Sequence, residues 1–328
     1  MLKHLSFCSL LIFSFLTIAQ VALAQTDSKS GVPKYVLVVH GGAGNFTQGL
    51  PDSVKAQIVN GLTNALEAGQ KILEANGKAI DAVEAAVRVL EDDPNFNAGK
   101  GAVLTSEGHA EMDASIMDGS NLAAGAVGDV KTVKNPISLA RLVMGKTNHI
   151  LLVSEGAEKF ADSMHVERRP ASYFIVPARY ADWKRTLPQK QMGNTVGAVA
   201  LDNSGNIAAA TSTGGMSGKM PGRLGDSPII GAGTYANNAT CAVSGTGWGE
   251  KFIKNAVAFS MSALMEFKHY TLKQASEEVI SQRLSPGDGG LIAVDKSGNY
   301  TMPFSTKGMP RGVVTSSGEK KILLFKEN

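Results

Sequence analysis

Along the chain, short continuous apolar runs alternate with helical stripes, and glycine-rich breaks separate them. Tyr35–Val39 is an apolar run of strand length, which predicts a strand buried on both faces. It enters His40-Gly-Gly-Ala-Gly44, a turn suited to glycine. Asp52 or Ser53 is placed to cap a helix that runs to about Asn76, and Gly77 ends it. A second helix is expected from Ala79 to about Asp92, where Ile80, Val83, Ala86, Val87 and Leu90 recur at helical spacing. Asp93-Pro94-Asn95 stops it, and residues 96–101 continue as a glycine-rich loop. Short strands are expected near Ala102–Thr105 and Ala123–Val127, then a helix near Ile137–Met144 and a strand at Ile150–Val153.

Residues 167–194 fit neither period. Three prolines (Pro170, Pro177, Pro188) and an excess of basic residues mark a long connection of the kind that is functional or disordered. Regular structure resumes at Thr195. Val196–Leu201 and Ile207–Thr211 read as strands joined by the hairpin composition Asp202-Asn-Ser-Gly205. Strands near Cys241–Ser244, Gly290–Val294 and Ile322–Phe325 bracket helices at about Gly249–Glu266 and Leu272–Gln282. No segment repeats at a fixed period, so solenoids and propellers are excluded. The pattern implies sheets covered by helices.

Composition narrows the class. An apolar share of 43% is that of a globular protein, and 328 residues allow about two domains or one large α/β unit. A net charge of +3 without a long Lys/Arg run argues against a nucleic-acid partner. Met1–Ala24 reads as a secretory signal, with Lys3 and His4 before the apolar stretch Leu5–Val21 and an A-x-A site at Ala22-Leu23-Ala24. The alternative is an uncleaved anchor. Cleavage before Gln25 removes Cys8 and leaves Cys241 alone, so an exported, periplasmic or secreted chain without a disulfide would rest on its core.

Familiar catalytic signatures are missing. There is no H-E-x-x-H, C-x-x-C or G-x-S-x-G. Ala140–Thr147 lacks the first P-loop glycine, and Gly214–Lys219 lacks the required ends. His40 is the histidine in a glycine-rich loop, and it reads as a core residue bonded to backbone. Taken singly, Thr195, Thr211, Thr213 and Thr246 are β-formers. Together, Thr195, Thr213 and Thr246 stand at strand ends beside glycines, where hydroxyls and N–H groups are free. Between them, Pro221-Gly-Arg-Leu-Gly-Asp226 presents a cation and an anion that match the α-carboxylate and α-ammonium of an amino acid. The alternative for Arg223 and Asp226 is a mutual surface ion pair.

The segments VVHGGAG (38–44), FNAGKGAV (96–103), EMDASIMDG (111–119), TVGAVALD (195–202), AATSTGGMSGKMPGRLGDSPIIGAGTYANN (209–238) and SGTGWGE (244–250) resemble the plant-type L-asparaginases, or isoaspartyl peptidases. These are threonine-dependent N-terminal-nucleophile hydrolases. The resemblance spans nearly all of the chain after residue 24. It implies an α+β fold of the αββα sandwich type and self-cleavage between Asn194 and Thr195. The products would be an α subunit (25–194, with a mobile linker 167–194) and a β subunit (195–328), which form one structural domain and assemble two of each. A freed α-amino group with a reference pKa of roughly 7.7–8.0 would serve the Thr195 hydroxyl as base, without a histidine.

The resemblance also assigns roles. Thr213 would bond the nucleophile, Thr246 and the Gly247 N–H would form the oxyanion hole, and Asn97 would be the family's active-site asparagine. Arg223 would bind the α-carboxylate and Asp226 the α-ammonium, within a substrate surface that includes Leu224, Gly225, Trp248 and Gly249. No cofactor is required, although backbone carbonyls of Leu90, Glu91, Asp93, Phe96, Ala98 and Lys100 match a loop that holds sodium in the family. The chain departs from the pattern at Asn194, where the family usually has Gly and the related glycosylasparaginases have Asp; a side chain there bears on the cleavage rate. Glycosylasparaginase activity and an unprocessed, non-catalytic exported binding protein are the alternative readings.

Overall fold

Residues 34–186 and 194–327 are described by a computed structural model. The expected signal segment 1–24 and the linker residues 187–193 lie outside the described residues. The chain up to 186 forms β1 (Val36–His40), α1 (Asp52–Glu74), α2 (Ala79–Asp92), β2 (Met112–Asp118), β3 (Ala124–Val130), α3 (Pro136–Lys146), β4 (Leu151–Val153), α4 (Ser154–Ser163) and α5 (Pro177–Thr186). From 194 onward come β5 (Val196–Leu201), β6 (Ile207–Thr213), β7 (Thr234–Ala236), β8 (Cys241–Gly247), α6 (Gly249–Asn255), α7 (Val257–Lys268), α8 (Leu272–Glu278), β9 (Gly289–Asp295), β10 (Tyr300–Thr301), β11 (Arg311–Thr315) and β12 (Lys320–Leu323).

One sheet has the order β12-β11-β1-β5-β6-β2-β3-β4, and the other β10-β9-β8-β7. All pairings are antiparallel except β3 with β4. The period-two alternation of strands sorts the core into layers. Leu37 and Val39 of β1 face α1 and α2, where they meet Leu62, Leu66, Val83 and Val87. Val36 and Val38 face the second sheet and pack with Val199, Ala209, Ala242 and Ile292. The outer face of that sheet buries Val243 and Leu291 against Val257 and Met261 of α7 and Leu272 of α8. The result is the expected αββα sandwich. β5, which follows Thr195, lies deep in the large sheet between β1 and β6.

Several local expectations change. Helix α1 starts at Asp52 with Pro51 as its cap residue, so neither Asp52 nor Ser53 caps it; Asp52 instead pairs with Lys55 at 3.1 Å. The strand expected at 102–105 is reduced to isolated bridges from Leu104 to Ala110 and from Thr105 to Lys219. The helix expected over 249–266 breaks at Ala256, which has φ 44°, into α6 and α7. β2 was not anticipated, because Asp113 and Ser115 interrupt its apolar run although the whole strand is buried but for its last residue. Residues 167–186 are not structureless. Phe174 is buried in a 3₁₀ turn, Pro177 opens α5, and Trp183 Nε1 donates to the Thr105 carbonyl at 2.7 Å.

Candidate active site

Thr195 sits one residue before β5, and Thr213 ends the neighbouring β6. The register brings their buried hydroxyls together: Thr195 Oγ1 donates to Thr213 Oγ1 at 3.2 Å. Thr213 Oγ1 in turn donates to the carbonyl of Asn194 at 3.2 Å. Asn97 Nδ2 donates to the same carbonyl. Asn97 is held by its other contacts, donating to the Gly215 carbonyl at 2.8 Å and accepting from the Val103 N–H at 2.8 Å. The peptide carbonyl before Thr195 therefore meets two neutral donors, with the Thr195 hydroxyl beside one of them.

The Asn194 side chain lies over the His40–Gly44 turn. A Cβ on Gly42 (φ +107°) would come within 2.5 Å of the Asn194 Cβ, and one on Gly44 within 2.6 Å of its Oδ1. These two bare positions give the unusual Asn194 its room. Between them, the Ala43 N–H donates to Thr246 Oγ1 at 3.0 Å, so this loop ties the Asn194–Thr195 peptide to β8. Gly247 follows with φ +151°, and a Cβ there would lie 2.1 Å from the Asp288 carbonyl oxygen; only glycine suits the place. His40 is buried as expected. Its Nδ1 meets the Thr195 carbonyl at 3.0 Å and its Nε2 meets Ser244 Oγ at 3.0 Å. Burial lowers its pKa to about 3, so the ring is neutral.

Charged groups gather on the other side of Gly215. The mutual Arg223–Asp226 surface pair does not form. Arg223 Nε and Nη2 instead grip both carboxylate oxygens of Glu250, each at 3.0 Å. Asp226 is buried, its Oδ2 meets no hydrogen-bond partner, and burial pushes its pKa up to about 7 against the pull of its own backbone N–H and of Arg223. A Cβ on Gly249 would lie 2.8 Å from Arg223 Nη2 and 2.9 Å from Asp226 Oδ1. The bare glycine thus lets a cation and an uncompensated carboxyl approach one backbone position. Leu224 is not directed into this group: its side chain packs toward Gly128. Gly225 is the bare surface under Arg223, 2.8 Å from Nη1 to its virtual Cβ. Trp248 precedes α6 and lines a cavity of about 320 Å³ with Met216, Met220, Arg223 and Glu250.

A family model described as Asparaginase matches residues 33–324. The chain belongs to the asparaginase family. It is 48% identical over 296 residues to the isoaspartyl peptidase of Salmonella typhimurium, an alignment covering 85% of this chain and 94% of that one. The isoaspartyl peptidase of Escherichia coli is 45% identical over 295 residues, covering 85% and 92%. The isoaspartyl peptidase/L-asparaginase of Mus musculus is 45% identical over 291 residues, covering 85% and 87%.

Three residues of this asparaginase-family site were not given roles from sequence. Glu250 clamps Arg223. Glu111, which is buried, anchors the loop before Arg223: the Gly222 N–H donates to Glu111 Oε2 at 2.9 Å, and Lys219 Nζ donates to the Glu111 carbonyl at 2.8 Å. Ala43 supplies a backbone donor. Glu111 and Glu250 do stand in the motifs EMDASIMDG and SGTGWGE, which was the available signal. The 90–101 loop turns carbonyls toward its glycines: a Cβ on Gly99 would lie 2.3 Å from the Glu91 oxygen, and one on Gly101 would lie 2.1 Å from that of Phe96. The carbonyls of Asp93 and Ala98 each accept one N–H, from Phe96 and Gly101, which leaves a second lone pair on each. The Glu91 side chain instead turns into the core, where Oε1 accepts from the Ile137 N–H and Ser212 Oγ and burial raises the carboxyl to about 8, so the candidate ligands are the backbone carbonyls. Such a hard-oxygen set fits a hard cation.

Proposed function

We propose that this asparaginase-family hydrolase cuts its own chain between Asn194 and Thr195. The freed Thr195 then hydrolyses β-aspartyl dipeptides and the side-chain amide of L-asparagine. The observation that carries the reading is the Asn194 carbonyl, held by Asn97 Nδ2 and Thr213 Oγ1 beside the Thr195 hydroxyl. In the first step Thr195 Oγ adds to that carbonyl. Its proton passes to Thr213 as Thr213 gives its own to the developing oxyanion. On collapse that proton moves to the Thr195 nitrogen as the C–N bond breaks, which leaves Asn194 as an ester on Thr195 and frees the Thr195 amine. Water then releases the Asn194 carboxylate.

In the mature enzyme that amine takes the hydroxyl proton as Thr195 Oγ attacks the β-carbonyl of the substrate. The oxyanion is met by Thr246 Oγ1 and the Gly247 N–H, and each such donor contributes about 10²–10³ in rate. The leaving amine or ammonia departs with the proton, and water hydrolyses the β-aspartyl ester to restore Thr195. Arg223 receives the α-carboxylate and Asp226 the α-ammonium. The unpartnered Oδ2 of Asp226 and the isoaspartyl activity named for the relatives support this over a glycan-bearing substrate. Sodium, where bound by the carbonyls of Leu90, Glu91, Asp93, Phe96, Ala98 and Lys100, would supply rigidity to the turn that carries Asn97. The active particle is proposed as two 25–194 and two 195–328 chains, exported through the 1–24 segment. The test is a Thr195→Ala variant on a denaturing gel with β-aspartyl-leucine as substrate. It should stay a single chain and hydrolyse nothing; splitting at 194/195 would refute the reading.

A further inference from the structure

His40 has no part in the chemistry above, yet it touches the carbonyl of the nucleophile residue itself. Behind it runs a file of buried hydroxyls through the space between the two sheets. Ser244 Oγ lies 2.7 Å from Thr211 Oγ1, Thr211 Oγ1 lies 2.6 Å from Thr234 Oγ1, and Thr234 Oγ1 lies 2.7 Å from Ser115 Oγ. Ser115 Oγ also meets the carbonyl of Ser227, the residue after Asp226, at 2.5 Å. Every member is buried. Gly197 makes the space, because a Cβ there would lie 2.0 Å from Ser244 Oγ and 2.6 Å from His40 Nε2.

The His40 end of the file decides its direction. The Thr195 carbonyl can only accept, so His40 Nδ1 carries the proton and, in a neutral ring, Nε2 must accept. Ser244 then donates to Nε2, Thr211 to Ser244 and Thr234 to Thr211, while Ser115 shares its one proton between Thr234 Oγ1 and the Ser227 carbonyl. From Thr234 to His40 the donors point one way, an arrangement in which each bond strengthens the next.

We propose that His40 is a positioning residue for the nucleophile: its Nδ1–H holds the Thr195 carbonyl, and the hydroxyl file that starts beside Asp226 fixes the proton on that nitrogen. The proposal rests on the reading of Thr195 as nucleophile. Its physical content concerns the moment after cleavage. Thr195 then becomes a chain terminus, and termini fray unless tied down. With its carbonyl held, the peptide plane after Thr195 stays fixed, and the hydroxyl stays aimed at the substrate. A misplacement of about 1 Å at such a group costs on the order of 10² in rate.

Two variants separate positioning from packing. His40→Asn keeps a donor near the place of Nδ1, whereas His40→Gln keeps one near the place of Nε2. With β-aspartyl-leucine, His40→Asn should retain kcat within about fivefold, and His40→Gln should lose about 30-fold or more, with KM changed less than about threefold in both. Equal kcat in the two variants, or a loss confined to KM, would overturn the proposal. Thr211→Val, which cuts the file at constant volume two hydrogen bonds from His40, covers the case in which neither His40 variant folds. It should lower kcat by about three- to tenfold without raising KM, and an unchanged kcat would overturn the proposal. Wild-type protein run in parallel separates the two failures. If it neither splits nor hydrolyses the dipeptide, the reading of Thr195 fails; if it does both while Asn and Gln match, only the role of His40 fails.

Discussion

The two halves of the site are made of different material. Around the Asn194–Thr195 peptide stand neutral groups: the Asn97 amide, the Thr195 and Thr213 hydroxyls, and the Ala43 N–H on Thr246. Across Gly215 stand charges: Arg223 locked to Glu250, Lys219 on the Glu111 carbonyl, and the buried carboxyls of Asp113 and Asp226. The neutral half is complete within the chain, because the carbonyl it serves belongs to the chain. The charged half leaves two buried carboxyl oxygens without a hydrogen-bond partner, Asp113 Oδ2 and Asp226 Oδ2, and the one on Asp226 suits a group that an external ligand must supply. Self-processing and recognition should therefore fail separately.

The largest effect belongs to the neutral half. Thr213→Val removes both the acceptor for the Thr195 hydroxyl and one donor to the Asn194 carbonyl, so self-cleavage should slow by about 10²–10³. A time course on a denaturing gel measures it. Arg223→Lys should split at the wild-type rate while losing about tenfold or more in β-aspartyl-leucine hydrolysis, since an ammonium cannot reproduce the bidentate fork. If both variants process slowly, the separation breaks down.

Asp226 sharpens the contrast through pH. Burial raises its carboxyl to about 7 in the folded chain, above its ordinary value of 3.8. A raised folded pKa gives stability that is present below about pH 4 and lost as pH climbs through about 7. Asp226→Asn should therefore raise Tm at pH 8 and leave it nearly unchanged at pH 4, while lowering kcat/KM by about 10- to 100-fold. In wild type, kcat/KM should fall below about pH 7, as the carboxylate that takes the α-ammonium and the Thr195 amine both gain protons. The limb should approach two protons in slope and drop to one in Asp226→Asn; an unchanged slope would remove Asp226 from substrate binding. The smallest effect is expected at Glu250. Glu250→Gln loosens Arg223 and should raise KM by about three- to tenfold with processing untouched.

Sequence reading went furthest where geometry follows from local pattern. The continuous apolar run of β1 and the stripe of α2 reveal their elements directly, and α2 has the expected bounds Ala79–Asp92. The motifs around 195–250 gathered Thr195, Thr213, Thr246, Arg223 and Asp226, because glycines and hydroxyls cluster there in one dimension as well as in three. The losses have a common cause. Asp113 and Ser115 are polar residues inside a buried strand that bond to distant partners, Asp113 Oδ1 to the Asp129 N–H and Ser115 Oγ to Thr234. Phe174 and Trp183 order the 167–186 stretch by packing against remote parts of the chain. The choice of Glu250 rather than Asp226 as the partner of Arg223 depends on how α6 leaves β8. None of these contacts has a local period to reveal it.

The central claim is that Thr195 both cuts the chain and becomes the nucleophile that remains. Intact mass of purified wild-type protein and of Thr195→Ala, followed over time in the same buffer, tests it most directly. The account expects a wild-type fragment that begins at Thr195 and ends at Asn328, appearing together with β-aspartyl-leucine hydrolysis, and an uncut, inactive variant. A Thr195→Ala protein that yields a fragment starting at residue 195, or a wild-type protein that hydrolyses the dipeptide while still one chain, would contradict it.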